Sequence, residues 1–229
     1  MKKICLISIF AVTLFLSKSV SAATCPVETE KAYKMQQSSA VYYVDGECKK
    51  RPFKNRHIFS TYFDSTKDIL AVSADVLALV PAHELGFMPL GPKYNPKYGA
   101  VVKTVTDSKV YFLLNEKKYW ITSESIFLAL QYKWSWVEDI DQRLLDKYGV
   151  GGEIMDVSRH LDGTIIKYAG SPDVFVIQNG KKKHIVSEQE FNNLGYRWDR
   201  IVELQSSEVY GNVEDIQPND DRKIIIRAK

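Results

Sequence analysis

The sequence predicts an α+β, β-rich protein of three tandem small modules, each a β-hairpin-containing sheet with a short helix. Three observations carry that prediction: a self-similarity at a fixed offset of 64 residues, an Asn-Gly pair between two apolar runs, and a capping box directly behind those runs. A fixed internal period marks a chain assembled from repeated supersecondary units. Val110, Asn115, Lys117 and Ile121 stand opposite Val174, Asn179, Lys181 and Ile185. Ser123, Phe127, Tyr132 and Trp134 stand opposite Ser187, Phe191, Tyr196 and Trp198, again without a gap. A more divergent first copy matches Val41–Val44 to Val110–Leu113 and keeps the six-residue spacing of Ile121 and Phe127 in Phe53 and Phe59.

The elements follow in order. Thr164–Tyr168 reads as a leading strand, and 174–178 and 182–186 as two strands rich in β-branched and aromatic residues. Asn179-Gly180 between them is a hairpin signal, because a type I′ turn needs positive φ at both central residues. Asp45-Gly46 is expected to play that part in the first copy; in the second, Asn115-Glu116 requires a left-handed Glu or a wider loop. Ser187-Glu188-Gln189-Glu190 is a capping box opening a short helix through Leu194, with Gly195 as its stop. Ile201–Leu204 reads as a short extended segment, Ser206–Tyr210 as a further helical turn, and Lys223–Arg227 as a closing strand. An isolated hairpin is marginal in water, so the helix or a neighbouring copy must cover it. Phe59, Phe127 and Phe191 are the expected core anchors between helix and hairpin.

The organisation is a signal peptide at 1–22, an N-terminal segment at 23–39, a first module at 40–90, a connector with the second module at 91–158, and the third module with its C-terminal strand at 159–229. Lys2 and Lys3, the apolar run Ile4–Leu16 and the exit Ser19-Val20-Ser21-Ala22 form the signal pattern. The run is shorter than the ~20 residues of a membrane-spanning helix, so no span is expected after cleavage. Cleavage also removes three lysines, so the 31 basic residues fall to 28 and match the 28 acidic ones. Nucleic-acid binding needs a cationic surplus to displace counterions, and a chain balanced in this way lacks it. Two cysteines remain, Cys25 and Cys48; behind a signal peptide an even pair most simply forms one disulfide.

Val41–Gly46, Lys50–Phe53 and Leu70–Pro81, with the Pro96–Lys103 run, resemble an uncharacterised tandem repeat of secreted and cell-surface bacterial proteins. The second copy adds Lys109–Leu113, Lys117–Glu124 and the Trp136–Ile140 stretch in the same order. The resemblance covers most of the mature chain. It implies a cell-envelope or extracellular role, secreted, periplasmic or at the cell surface, and no reaction. Such copies often stand beside S-layer or wall-degrading modules, and no hydrolase is recognisable here. The first copy departs from the pattern at Asp64-Ser65-Thr66, where the others have Tyr-x-Trp.

Chemistry-bearing motifs are absent from the pattern. His57, His83, His160 and His184 are scattered without the spacing of a helical metal site, and no G-x-S-x-G elbow occurs. Gly149-Val150-Gly151-Gly152 lacks the lysine of a phosphate loop and is expected to permit a turn. Glu138-Asp139-x-Asp141 is the densest acidic cluster and reads as a solvated connector. Lys181-Lys182-Lys183 reads as charge that blocks edge-to-edge strand pairing. Neither a cofactor nor a metal is expected, and the chain reads as non-enzymatic. Aromatics give the one binding signal: Trp136, Tyr98, Tyr94 and Trp134 in or beside the second module, where planar rings stack on sugars or anchor interfaces. Tyr132, Trp134 and Trp136 share a face if extended. The expected partner is cell-wall polysaccharide or an envelope protein, bound mainly by the second module; a secreted enzyme with a site assembled between modules and a purely structural surface spacer are the alternatives.

Overall fold

A computed structural model describes residues 24–155 and 157–213. The signal peptide and the closing strand at 223–227 lie outside the described residues. The chain forms three sheets with one repeated plan. In the first module β1 (Lys31–Met35), β2 (Val41–Val44) and β3 (Lys50–Pro52) precede α1 (Arg56–Ser60), β4 (Ile69–Val72) and α2 (Ala74–Ala78). The strand order is β3-β2-β1-β4, with β4 parallel to β1. The second module repeats this with β5 (Ala100–Thr104), β6 (Val110–Leu114), β7 (Lys117–Ile121), α3 (Glu124–Ala129), β8 (Glu138–Ile140) and α4 (Gln142–Leu145), and adds β9 (Gly149–Ile154) outside β7. The third has β10 (Ile165–Tyr168), β11 (Val174–Gln178), β12 (Lys181–His184), α5 (Glu188–Asn193) and β13 (Val202–Leu204). The 64-residue offset extends to strand register: Val102 faces Glu138 across β5 and β8, and Ile166 faces Val202 across β10 and β13.

The leading strand of the first module, β1, arises within the 23–39 segment, where Ala32 and Tyr33 are buried between flanking lysines. Helix starts follow the predicted chemistry: Ser187 accepts from the Glu190 N–H, Ser123 from Ile126 and Asn55 from Ile58. Asn179 and Gly180 both adopt positive φ, as a type I′ turn requires, and Glu116 tolerates φ 61° beside Asn115. Asp45-Gly46 differs. The first hairpin turn is one residue longer and puts Cys48, not Gly46, at positive φ, while Asp45 Oδ1 accepts from the N–H groups of Glu47 and Lys49. That turn presents Cys48 to Cys25, and the two form a disulfide with Cα atoms 5.6 Å apart.

Two further expectations are corrected. Gly149-Val150-Gly151-Gly152 is strand, not turn: β9 runs parallel to β7 with a bulge at Lys118/Tyr119. Glycine is needed because a Cβ on Gly151 would sit 2.4 Å from the Tyr119 ring. Ser206–Tyr210 makes one turn bond, Glu208 N–H to the Gln205 carbonyl, and no helix. Tyr210 is drawn inward instead, buried with its hydroxyl on Glu208.

The cores show how the modules meet. Phe59, Phe127 and Phe191 are all buried. In the second module, Val101, Phe112 and Phe127 on the helix-bearing side of the sheet pack in one cluster with Ile166, Ile177 and Leu204 from the third. In the third, Ile165, Val176 and Phe191 pack in another cluster with Ala100, Val102 and Leu113 from the second. Each of these modules therefore supplies the cover for the other's exposed sheet face. The first module keeps a small separate core of Tyr33, Val44, Leu77 and Val80, flanked by the disulfide.

Candidate functional site

The four aromatic candidates converge on the second and third modules but do not form one surface. Trp134–Trp136 is a short 3-10 turn, not an extended segment, so Tyr132, Trp134 and Trp136 do not share a face. Trp136 and Tyr98 are buried, each 5% exposed, and Tyr132 joins them inside. Tyr94 is half-buried and donates its hydroxyl to Glu138 Oε2. Trp134 alone remains half exposed, stacked on Phe127 with ring centroids 4.3 Å apart. Its repeat partner Trp198, not singled out in the sequence, stacks on Phe191 at 3.9 Å and is also half exposed.

The acidic stretch is not solvated as expected. Glu138 sits at the seam of the second and third modules with its side chain only 12% exposed, 2.6 Å from Arg197 and 3.3 Å from Arg200. Asp199 pairs with both arginines, and the Arg200 guanidinium lies over the Trp136 ring. Burial, then the Glu138 charge, raise the pKa of Tyr94 and of Tyr98, so both phenols stay protonated and Tyr94 stays a donor. Burial opposes the Arg197 charge, yet the Asp199 hydrogen bond and neighbouring groups outweigh it and raise its pKa. Asp141 does the same work at the seam of the first two modules. It accepts from Tyr62 at 3.1 Å and from Arg143, whose guanidinium also lies over Tyr62 and reaches Glu30 of the first module. Burial pushes the Asp141 carboxyl up, but hydrogen bonds from Arg143 more than offset it and hold its pKa below the ordinary carboxylate range. Only Asp139 faces water, 2.7 Å from Lys103.

Sequence reasoning missed these latches because they join residues from different copies. Glu138 and Asp141 come from the second module; their partners are Tyr94 of the connector, Arg197 and Arg200 of the third module, and Tyr62 of the first. The available signal is the set of positions where the copies differ, such as Arg200 opposite Trp136.

Beside the second seam lies an open cleft of about 580 Å³. Its walls are Gln131, Lys133 and Trp136 from the second module and Lys167, Trp198 and Glu203 from the third. Lys167 pairs with Glu203 at 2.7 Å, and Lys133 lies over the Trp136 ring. A second groove, about 520 Å³, borders Ala71–Ala74 at the edge of the first sheet. Among the described residues no three His, Cys, Asp or Glu side chains are grouped to hold a metal ion. No described helix is long and apolar enough to cross a membrane.

No family of sequences matches the chain, and no curated protein does. Two solved structures are similar over much of its length. The periplasmic assembly from the ESX-5 inner membrane complex shares 13% identity, with 89% of this chain and 63% of that one covered and a TM-score of 0.21. The intact ESX-5 inner membrane complex shares 12% identity, with 84% and 53% covered and a TM-score of 0.22. The chain thus spans less than two thirds of either. At such TM-scores the likeness carries no structural argument.

Proposed function

We propose that the chain is a non-catalytic scaffold of fused β modules that works outside the cytoplasm and holds a protein partner at the cell envelope. The observation that carries this reading is the use made of the interior charges. Glu138, Arg197 and Arg200 at one seam, and Asp141 with Arg143 at the other, are paired with each other and with phenols. They hold modules in place, and what faces solvent beside them is an open cleft. The disulfide supports an oxidising compartment. The test is fractionation of the native host combined with non-reduced peptide mapping and crosslinking in intact cells. The expected result is a mature chain in the periplasmic or surface fraction, cleaved after residue 22 or 23, with linked Cys25 and Cys48 peptides and a crosslinked protein species. Cytoplasmic retention with two alkylatable thiols overturns the location, and turnover of a wall polymer by the purified chain overturns the scaffold reading.

Wall glycan is the second reading, favoured by the half-exposed rings of Trp134 and Trp198, each backed by a buried phenylalanine. Co-sedimentation with purified wall polysaccharide separates the two. Retention lost in a Trp134→Ala, Trp198→Ala variant that keeps its circular dichroism supports the glycan.

A further inference from the structure

The two seams differ at the outer edge of the last strand of the module that follows. At the first, the connector segment Pro89–Lys93 passes between the end of α1 and the outer edge of β8. Leu90 donates its N–H to the Asp139 carbonyl at 2.9 Å and accepts from the Asp141 N–H at 2.8 Å, as a one-residue parallel strand. The Leu90 side chain is buried in the core of the second module. Lys93 donates to the Thr61 carbonyl and pairs with Asp64 on the first module.

At the second seam, 64 residues on, Glu203 and Gln205 take the places of Asp139 and Asp141. Both are exposed, and among the described residues no backbone partner reaches the Glu203 carbonyl or the Gln205 N–H. The 580 Å³ cleft lies along that edge, lined by Ile201, Val202 and Glu203 on one side and Gln131 and Lys133 on the other. Among the described residues the edge stays open, because β9 pairs outside β7, at the opposite edge of the second sheet, and the next connector starts from there.

We infer that the β13 edge accepts an extended strand from a partner protein, in the way the β8 edge accepts Leu90. This rests on the scaffold reading above and names the partner's chemistry. An unpaired strand edge is a template for backbone pairing. The lining sets the side chains. A central apolar residue takes the place of Leu90, beside Leu204, the counterpart of Ile140, in the cluster that holds Trp136. An acidic residue takes the place of Lys93, because Lys133 follows directly on Tyr132, the counterpart of Asp64. Lys133 makes no ion pair among the described residues, whereas Lys167 is matched by Glu203.

The probe is a synthetic nonapeptide copying residues 86–94 with Glu in place of Lys93, added to the full mature chain. Expected are saturable binding by fluorescence anisotropy and slowed hydrogen exchange at the Gln205 amide, with no change at Asp141, which Leu90 already occupies. Gln205→Pro removes the N–H at an exposed position and should weaken binding about tenfold, the worth of one or two hydrogen bonds. Lys133→Glu, on the other wall, should weaken the Glu peptide and not its Lys original. Binding without protection at Gln205, binding unchanged in both variants, or no binding at all overturns the strand proposal. A crosslinked envelope protein that persists when the peptide fails leaves the scaffold reading intact; peptide binding by a chain found in the cytoplasm overturns that reading alone.

Discussion

Module one and the pair formed by modules two and three solve the same problem differently. All three have the same sheet order and the same helix anchor, Phe59, Phe127 or Phe191. A sheet of four or five strands with helices of four to six residues has too little apolar area to cover both its faces. The second and third modules cover one another, helix side against bare side, through two shared clusters. The first relies on its own residues, the cluster around Tyr33, Val44, Leu77 and Val80 and the ring cluster of Tyr43, Phe53, Phe59 and Phe63, and adds a disulfide. The repeat that contributes only Ile58 to a neighbour's core is the one that is stapled, as small secreted units usually are.

The comparison breaks most clearly at Phe191. Its replacement by Ala removes a fully buried aromatic from a cluster owned by two modules and should cost about 3–5 kcal/mol. Chemical denaturation followed by tryptophan fluorescence should show the pair melting together at lower denaturant. Separate transitions for the second and third modules would mean that they do not share a core.

Reducing the disulfide, or replacing both Cys25 and Cys48 by Ala, should act on the other side of the comparison. Release of a loop of this length costs about 3 kcal/mol in the chain-entropy account. Hydrogen exchange should accelerate in β1 to β4 and stay unchanged in β10 to β13. Equal acceleration in both would show that the first module is not an independent unit.

The hairpins, helices and short extended segments of the second and third modules are legible from the repeat offset, because these elements carry their own local chemistry; the parallel pairing of β8 and β13 is not. Asn179-Gly180 dictates its turn, and Ser187 its helix start. Less legible are elements defined by what they lie against. Strand β9 is glycine-rich and mostly exposed, with no alternation to read, and exists because its backbone rides over Tyr119. Strand β1 is hidden between lysines. The candidate aromatics have binding composition but largely structural positions: Tyr98 and Trp136 are buried, and Tyr94 is tied to Glu138. The cleft could not be read at all, since its walls come from two modules that meet only in the fold.

The smallest expected effect is acid loosening at the first seam. The Asp141 carboxyl has a lowered pKa in the folded chain, so its contribution is fully present above the ordinary aspartate value near 4 and is lost as pH falls through the lower folded value. As pH falls below about 4 the seam should weaken, with faster exchange at the Asp141 N–H and the Leu90 N–H. Asp199 is held low in the same direction, its burial outweighed by Arg197 and Arg200, and being more exposed should add less. An Asp141→Asn variant should flatten this response; an unchanged pH profile would remove Asp141 from the seam.

The reciprocal cover between the second and third modules also decides how the chain yields under load. Tension drawn along it cannot peel one of these two modules away while the other stays folded, since losing either bares a face of both clusters. They give way in one rupture. The first module yields by itself, and its covalent bridge keeps the 23-residue span from Cys25 to Cys48 from paying out. A chain anchored at one end and pulled at the other would therefore lengthen in two steps of unequal size, a short early one and a long late one.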